Sequence, residues 1–559
     1  MSLLIALPNV SEPPCGKQLE PLCSGGLWPE LAPRRMNQWI WALLALGVAA
    51  RLVRYLLRFP LWCDEAYLSV NLLQRGYLEL LNPLEYQQVA PVGFLWVQLS
   101  LVRLLGFSEY SLRLFSLLAG LASLPLFYHL ASRLLRGTAS LMAVGIFCVS
   151  YPCIRYSAEA KPYGSDLFVS LVLLALAVAY LQAKERRGLL WLLAAVVPLA
   201  VWLSYPAVFV AGAVSAAIGY GIWRGGCRRA WLAWVVYNLL LGASFAGLYQ
   251  LSTSRQTASA LEFSQSFWHD AFPPLTAPAK LLGWLWTAHS GDMLAYPIGG
   301  RNSGSTLTLL CCLLAIIWLV RRRQLAVLLL CLGPFALNFV AAAMGRYPYG
   351  GHVRIAMFLA PVVCLLAGLG LALAVERLSA RRSGSVLPVA TVAAVLMILA
   401  AGSIARDLAR PYRSESDRYM REFARWFWDV KALDAELVCL KTDLAEEFYP
   451  WHPLGDDSAM YLCNQRIYSQ RHARHEPPCL DRTSASRPLR CVRFWSTRHQ
   501  QDDAAWEQWL AQMHRRYALS GRERYPFPIR TRDGRVAYTQ VVEVYEFVPA
   551  DQGLLVRRS

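Results

Sequence analysis

Charge is scarce in this chain. Only 16% of its 559 residues are charged, and acids are the rarer sign, 37 against 55 Lys and Arg. With 56% hydrophobic residues and a mean hydropathy of +0.33, that scarcity excludes a soluble enzyme of this size. The net charge of +18 is not gathered on one face or tail, as a nucleic-acid binder requires, but scattered in small clusters between apolar runs. The N-terminal stretch has no basic start followed by a short apolar core, which excludes a cleavable signal peptide. No internal repeat is evident, which argues against the repeated halves of many transporters.

What the chain has in abundance is apolar runs of about 20 residues, enough to cross a bilayer as helices. The first runs from about Trp39 to Leu57, preceded by Arg34-Arg35. Further spans are predicted near 109–132, 138–155, 163–182, 189–204, 206–223, 230–250, 305–320, 325–343, 354–376 and 386–404, about eleven in all. The apolar segment 91–107 is read as lying in the membrane interface or re-entering. If it does not cross, Arg133 and Arg136, Lys184 with Arg186 and Arg187, Arg224 with Arg228 and Arg229, Arg321 to Arg323, and Arg377 with Arg381 and Arg382 all share the side of Arg34-Arg35. That assignment obeys the positive-inside rule throughout. It puts the N-terminus in the cytoplasm and four segments outside: 59–108, 155–164, 251–304 and 345–354. The expected domains are a disordered leader at 1–37 (Met36 being an alternative start), a membrane domain at 38–405 and an extracytoplasmic domain at 406–559. The chain is expected to be multi-pass in the cell's inner (plasma) membrane.

The last domain reads as a small α/β unit. Arg413 to Lys431 suits an amphipathic helix, Ala504 to Tyr517 a second helix, and 435–440, 489–495 and 541–548 strands. An oxidising location permits disulfides among Cys439, Cys463, Cys479 and Cys491. Cys463, His472, His475 and Cys479 could also be drawn as a zinc site, but they lack a close CxxC pair. The fold class is an all-α polytopic membrane protein with a small C-terminal α/β extramembrane domain.

The chemistry is expected on the outer segments. Asp64-Glu65 lies just beyond the first span, and ionisable groups at a membrane surface point to function. Arg155, Glu159, Lys161 and Asp166 crowd a short turn containing Pro162 and Gly164. There, Glu159 and Asp166 could position an acceptor or a divalent ion (Mg or Mn), while Lys161 or Arg155 could meet a phosphate. The segment Gly345 to Arg354 carries a Gly-Gly step and Arg346, His352 and Arg354, cations on the side that the orientation rule does not favour. A bound phosphate supplies a reason for them. Carboxylates beside cationic clusters suit transfer of a group away from a lipid phosphate.

The pattern resembles the GT-C glycosyltransferases, which include protein O-mannosyltransferases, the aminoarabinose transferase of lipid A and enzymes that modify lipopolysaccharide cores. The resemblance is carried by Asp64-Glu65 after the first helix and by Gln87-Gln88-Val89-Ala90-Pro91-Val92-Gly93-Phe94-Leu95, similar to the family's D/H-x-x-P-P-x-x-x-L stretch. Glu109-Tyr110-Ser111-Leu112-Arg113-Leu114-Phe115-Ser116 continues it at the entry to the second span. It covers roughly residues 38–200. Gln88 and Val92 depart from the family, where an acidic or His residue and a second Pro are common. The resemblance implies an inverting transfer of a hexose or pentose from a polyprenyl-phosphate donor to a glycan, lipid or protein acceptor on the outer face. Asp64 becomes the general base, Glu65 its support, and Glu159 or Asp166 the acidic residue of the second outer loop. A transporter or flippase of lipid-linked sugars, and a scaffold whose outer domain binds partners, are the other readings. Trp426-Phe427-Trp428-Asp429 is similar to the peptide-binding WWD motif of oligosaccharyltransferases, but aromatics on an amphipathic helix ordinarily pack.

Overall fold

The computed structural model describes residues 19–20, 22, 33–73, 75–84, 88–183, 186–225, 229–254, 267–300, 304–380, 387–427, 430, 437–442, 489–497, 503–515, 517–531 and 533–549. The zinc and disulfide candidates Cys463, His472, His475 and Cys479, and Trp428-Asp429, lie outside them.

Helices dominate. In chain order they are α1 (Pro33–Leu56), α2 (Cys63–Ser69), α3 (Val92–Leu105), α4 (Glu109–Leu134), α5 (Gly137–Val149), α6 (Tyr151–Tyr156), α7 (Tyr163–Gln182), α8 (Gly188–Leu203), α9 (Ala207–Gly225) and α10 (Ala230–Leu248). After them come α11 (Pro278–Ser290), α12 (Gly304–Arg321), α13 (Leu325–Ala343), α14 (Ala360–Ala380), α15 (Leu387–Ala409), α16 (Glu415–Trp426) and α17 (Asp503–Met513). Among the described residues, nine helices are long and apolar enough to cross a membrane. The two other predicted spans are present but short. The chain turns at Ser150, whose ψ of 115° ends α5 after 13 residues, and restarts as α6 with Pro152 in its first turn. Proline fits there because a first-turn N–H has no helical partner. α8 has 16 residues. α3, at 14 residues, covers about 21 Å, short of the ~30 Å hydrocarbon core.

α7 and α14 form the centre of the bundle, with α5, α4 and α9 packed around them. Gly368 and Gly370 let α14 close on its neighbours. A Cβ at Gly368 would collide with Ala143 of α5, and one at Gly370 with the backbone of Cys311 in α12. Small residues permit such close packing in membrane helices. α10 instead exposes Leu232, Leu239 and Phe245, the all-round apolar surface of a lipid-facing helix. α1 and α15, the first and last of these helices, are joined by a buried ion pair in which Arg54 Nη1 lies 2.9 Å from both oxygens of Asp407. The predicted disordered leader is in part ordered. Leu22 is buried, and its N–H donates to Leu134 O at the end of α4.

The C-terminal region carries a four-stranded sheet in the order β1-β2-β4-β3, with β1 Leu437–Thr442, β2 Leu489–Ser496, β3 Tyr517–Arg530 and β4 Val536–Pro549. β1 and β2 are parallel and the other pairs antiparallel; Cys439 and Cys491 are register partners. β3 was not expected, and α17 stops at Met513 rather than Tyr517. β3 contains Pro526 and Pro528, and it is an edge strand, where a missing N–H is tolerated. Phe423 and Phe427 at the end of α16, with Val542 and Val544 of β4, share an apolar cluster with Leu61, Ala66 and Leu112. The sheet domain is thereby seated on the segment that holds Asp64.

Candidate active site

Glu65 organises this end of the bundle. It is 1% exposed. Its carboxylate accepts from Arg113 Nε at 2.8 Å and Nη2 at 2.6 Å, from Ala160 N at 2.7 Å and from Trp62 N at 3.3 Å. Arg113 in turn donates to the carbonyls of Phe59 and Pro60. One side chain thus ties the start of α2 to α4 and to the turn between α6 and α7. A buried, bidentate and fully bonded pair of this kind is a strut. Glu65 supports Asp64 by fixing the backbone on which it stands.

Asp64, one residue earlier, is half-buried and meets Arg354 Nη1 through Oδ2 at 2.6 Å. Arg354 follows Gly350 and Gly351, with φ of 74° and 77°, a conformation glycine adopts without strain. The turn lays the Arg354 guanidinium 5.1 Å from the Trp62 ring and 5.3 Å from the Trp268 ring. Its Nε is buried without a hydrogen-bond partner. The Arg354 backbone N–H donates to His352 Nδ1 at 3.2 Å. Burial, then the charges of Arg354, Arg155 and Arg413, push His352 down to about 4, so at neutral pH it is an uncharged hydrogen-bonding group and not the cation expected.

From the next turn, Glu159 accepts from Arg155 Nε at 2.7 Å and from Trp62 Nε1 at 3.3 Å. Burial acts to raise its carboxyl, but the Arg155 charge and hydrogen bond outweigh this, with Arg54 and Arg413 adding, and hold it below the ordinary value. Lys161, also buried, donates from Nζ to Gln88 Oε1 at 2.6 Å. Gln88 therefore enters the site at the position where the sequence departs from the family pattern.

Asp64, Arg354, His352, Glu159 and Arg155 are linked to one another through these bonds and Trp62, and Lys161 stands two residues beyond Glu159 with Gln88 as its partner. Asp166 and Arg346 do not join this group. Asp166 is buried in the first turn of α7, and among the described residues no ion pair or hydrogen bond joins it to the cluster. Proximity in sequence misplaced it, because α7 begins at Tyr163 and carries Asp166 into the bundle. Arg346 is exposed at the end of α13, without a side-chain bond to the cluster among the described residues. Two members were missed: Trp62, an apolar residue in sequence terms, and Arg413, which stacks on the Trp62 ring at 3.7 Å. In the sequence Arg413 stands among Arg406, Arg410 and Arg418 beyond the last span, and nothing there marked it out. Among the described residues no three His, Cys, Asp or Glu side chains gather as a metal site. Asp64 and Glu159 are each engaged by an arginine, so this arrangement does not fit a divalent cation.

Residues 89–249 match the family model of dolichyl-phosphate-mannose-protein mannosyltransferase. The match begins downstream of Asp64. No curated protein sequence matches the chain. Among solved structures, ArnT from Cupriavidus metallidurans in the apo state aligns with a TM-score of 0.52 at 13% identity, over 91% of this chain and 98% of that one. The same protein bound to undecaprenyl phosphate gives 0.48 at 14% identity, over 91% and 98%. The Archaeoglobus fulgidus oligosaccharyltransferase complexed with Zn and sulfate gives 0.42 at 13% identity, over 67% and 55%. At such identities the likeness is one of fold, and the chain is a polytopic membrane protein with the GT-C glycosyltransferase fold.

Proposed function

We propose that this protein transfers a monosaccharide from a polyprenyl-phosphate donor to an acceptor hydroxyl at the outer membrane face, with inversion. The observation that carries the reading is a solvent-reachable carboxylate, Asp64, paired with Arg354 over the Trp62 ring, while the same Trp62 bonds the Arg155–Glu159 pair, at one end of an apolar helix bundle. A lipid-linked donor places its phosphate at that depth. The undecaprenyl phosphate bound by ArnT is a ligand of this chemistry.

Asp64 takes the proton of the acceptor hydroxyl as its oxygen attacks the anomeric carbon. The carbon–oxygen bond to phosphate breaks in the same displacement, and the departing phosphate keeps the bond's electrons. Attack from the face opposite the leaving group inverts the centre. Lys161, Arg155 and Arg354 stabilise the charge gathering on phosphate. Glu159 holds Arg155 in place, and neutral His352 fixes the Arg354 turn. Buried, preorganised donors are worth more here than in water.

Purified protein, supplied with labelled polyprenyl-phosphate sugars and a membrane extract as acceptor, tests this. Wild type is expected to transfer sugar and Asp64→Asn to lose turnover by roughly a thousandfold or more while still eluting as a folded species. Equal activity in both would remove Asp64 from the role of base. Donor binding without transfer would favour a lipid-linked sugar transporter.

A further inference from the structure

Arg413 lies beyond the last membrane helix, yet it enters the cluster around Asp64. Its position is fixed on both sides. Upstream, α15 is tied to α1 by Asp407 and Arg54. Downstream, Ser414 caps α16, accepting from Asp417 N at 3.1 Å. α16 is in turn fastened to the first outer segment: Arg421 donates to Arg58 O, Arg425 reaches Glu109 at 3.4 Å, and Phe423 and Phe427 enter the apolar cluster.

The other cations of the site are engaged. Arg155 pairs with Glu159, Arg354 with Asp64, and Lys161 bonds Gln88. Arg413 lies over the Trp62 ring, 3.7 Å from its centroid, is exposed and, among the described residues, has no ion pair or hydrogen bond from its guanidinium. A guanidinium held by an aromatic ring keeps its N–H groups available as donors. It stands close enough for its charge to act on Glu159 and His352. Among the described residues, Arg155 has Glu159 and Arg354 has Asp64 as counterion, whereas Arg413 has no carboxylate of its own. A guanidinium without a counterion beside these pairs suits a phosphate group.

We infer that Arg413 is a phosphate clamp, through which the C-terminal domain completes the binding site for a lipid-linked phosphate. This rests on the proposed function. The Arg413 edge donates to phosphate oxygens from the side opposite the membrane, while Lys161 and Arg155 approach from the bundle. The extramembrane domain is thus part of the binding site and not an appendage to it.

The test uses the full-length protein in lipid nanodiscs, with a polyprenyl monophosphate of about eleven isoprene units as probe and inorganic phosphate as a second arm. Arg413→Ala is expected to weaken polyprenyl phosphate binding roughly tenfold, the scale of one charge-assisted hydrogen bond. Arg413→Lys should recover part of that loss. Both variants should raise the donor KM more than they lower kcat, and both should keep the wild-type unfolding temperature. Inorganic phosphate should compete only at far higher concentration; equal potency would overturn the lipid-linked assignment. Wild type and Arg413→Ala binding the probe equally would overturn the clamp while leaving the glycosyltransferase reading intact. Failure of wild type to bind the probe would overturn both.

Discussion

Asp64 and Glu65 are adjacent carboxylates with opposite tasks, and their partners decide which is which. Glu65 is closed in by Arg113, Ala160 and Trp62. Replacing it with Gln leaves a buried guanidinium uncompensated, which costs about 3 kcal/mol or more. Glu65→Gln is expected to lower the unfolding temperature in detergent clearly, whereas Asp64→Asn should leave it near wild type and remove turnover. A Glu65→Gln protein as stable as wild type would show that the pair is not a strut. His352 gives a pH dependence. Its folded value of about 4 lies below the ordinary value near 6.5, so between those pH values the unfolded chain binds the proton that the folded one refuses. Stability should fall as pH drops from about 6.5 toward 4, and His352→Asn should flatten that part of the curve in thermal unfolding. The pair Asp64-Glu65 was legible as a costly placement at a membrane surface. The division of labour was not, because it depends on Arg113 and Arg354, 48 and 290 residues downstream.

At the scale of elements, hydropathy and glycine placement carried most of the reading. The eleven apolar helices lie where the apolar runs put them, and the Gly-Gly step is the left-handed turn that aims Arg354. Gly351 makes that turn testable. A Cβ there meets Ala271 and approaches Trp268, on whose ring Arg354 also lies. Gly351→Ala is expected to cost about 1–2 kcal/mol in stability and to raise the donor KM. Unchanged kinetics would show that the turn does not position Arg354. The elements that escaped notice did so for physical reasons. β3 carries Pro526 and Pro528, which an edge position tolerates, and Asp166, although it lies on the predicted span 163–182, was grouped with the turn because it follows Arg155, Glu159 and Lys161 closely in sequence.

For the molecule as a whole, the cluster around Asp64 and the dense arginine groups stand at opposite ends of the same helices; Glu109 opens α4 and Arg133 ends it. By the positive-inside rule the site is expected outside. An alkaline phosphatase reporter, active only outside the cytoplasm, should be active when fused at the C-terminus and inactive when fused after Arg323. The reverse pattern would invert the topology and move the site to the cytoplasm. The multi-pass character was legible at this level from the apolar runs, and the expected orientation rests on the charge counts between them. The seating of the sheet domain on the Asp64 segment was invisible, because aromatic residues of α16 could equally have faced one another.

The ion pair between α1 and α15 also sets an order of events during synthesis. Arg54 and Asp407 are 353 residues apart. At ordinary translation rates the ribosome needs roughly 20–70 s to bridge that gap. Through that interval the growing chain holds an arginine inside the bundle whose counterion has not been made. Glu65 waits only for Arg113, 48 residues on, so the strut under the Asp64 segment can close early and the seam of the bundle closes last. A chain that stops short of Asp407 keeps an uncompensated charge in its membrane part and also lacks Arg413. Interrupted products are therefore expected to be less stable than the finished chain, because the seam between α1 and α15 stays open.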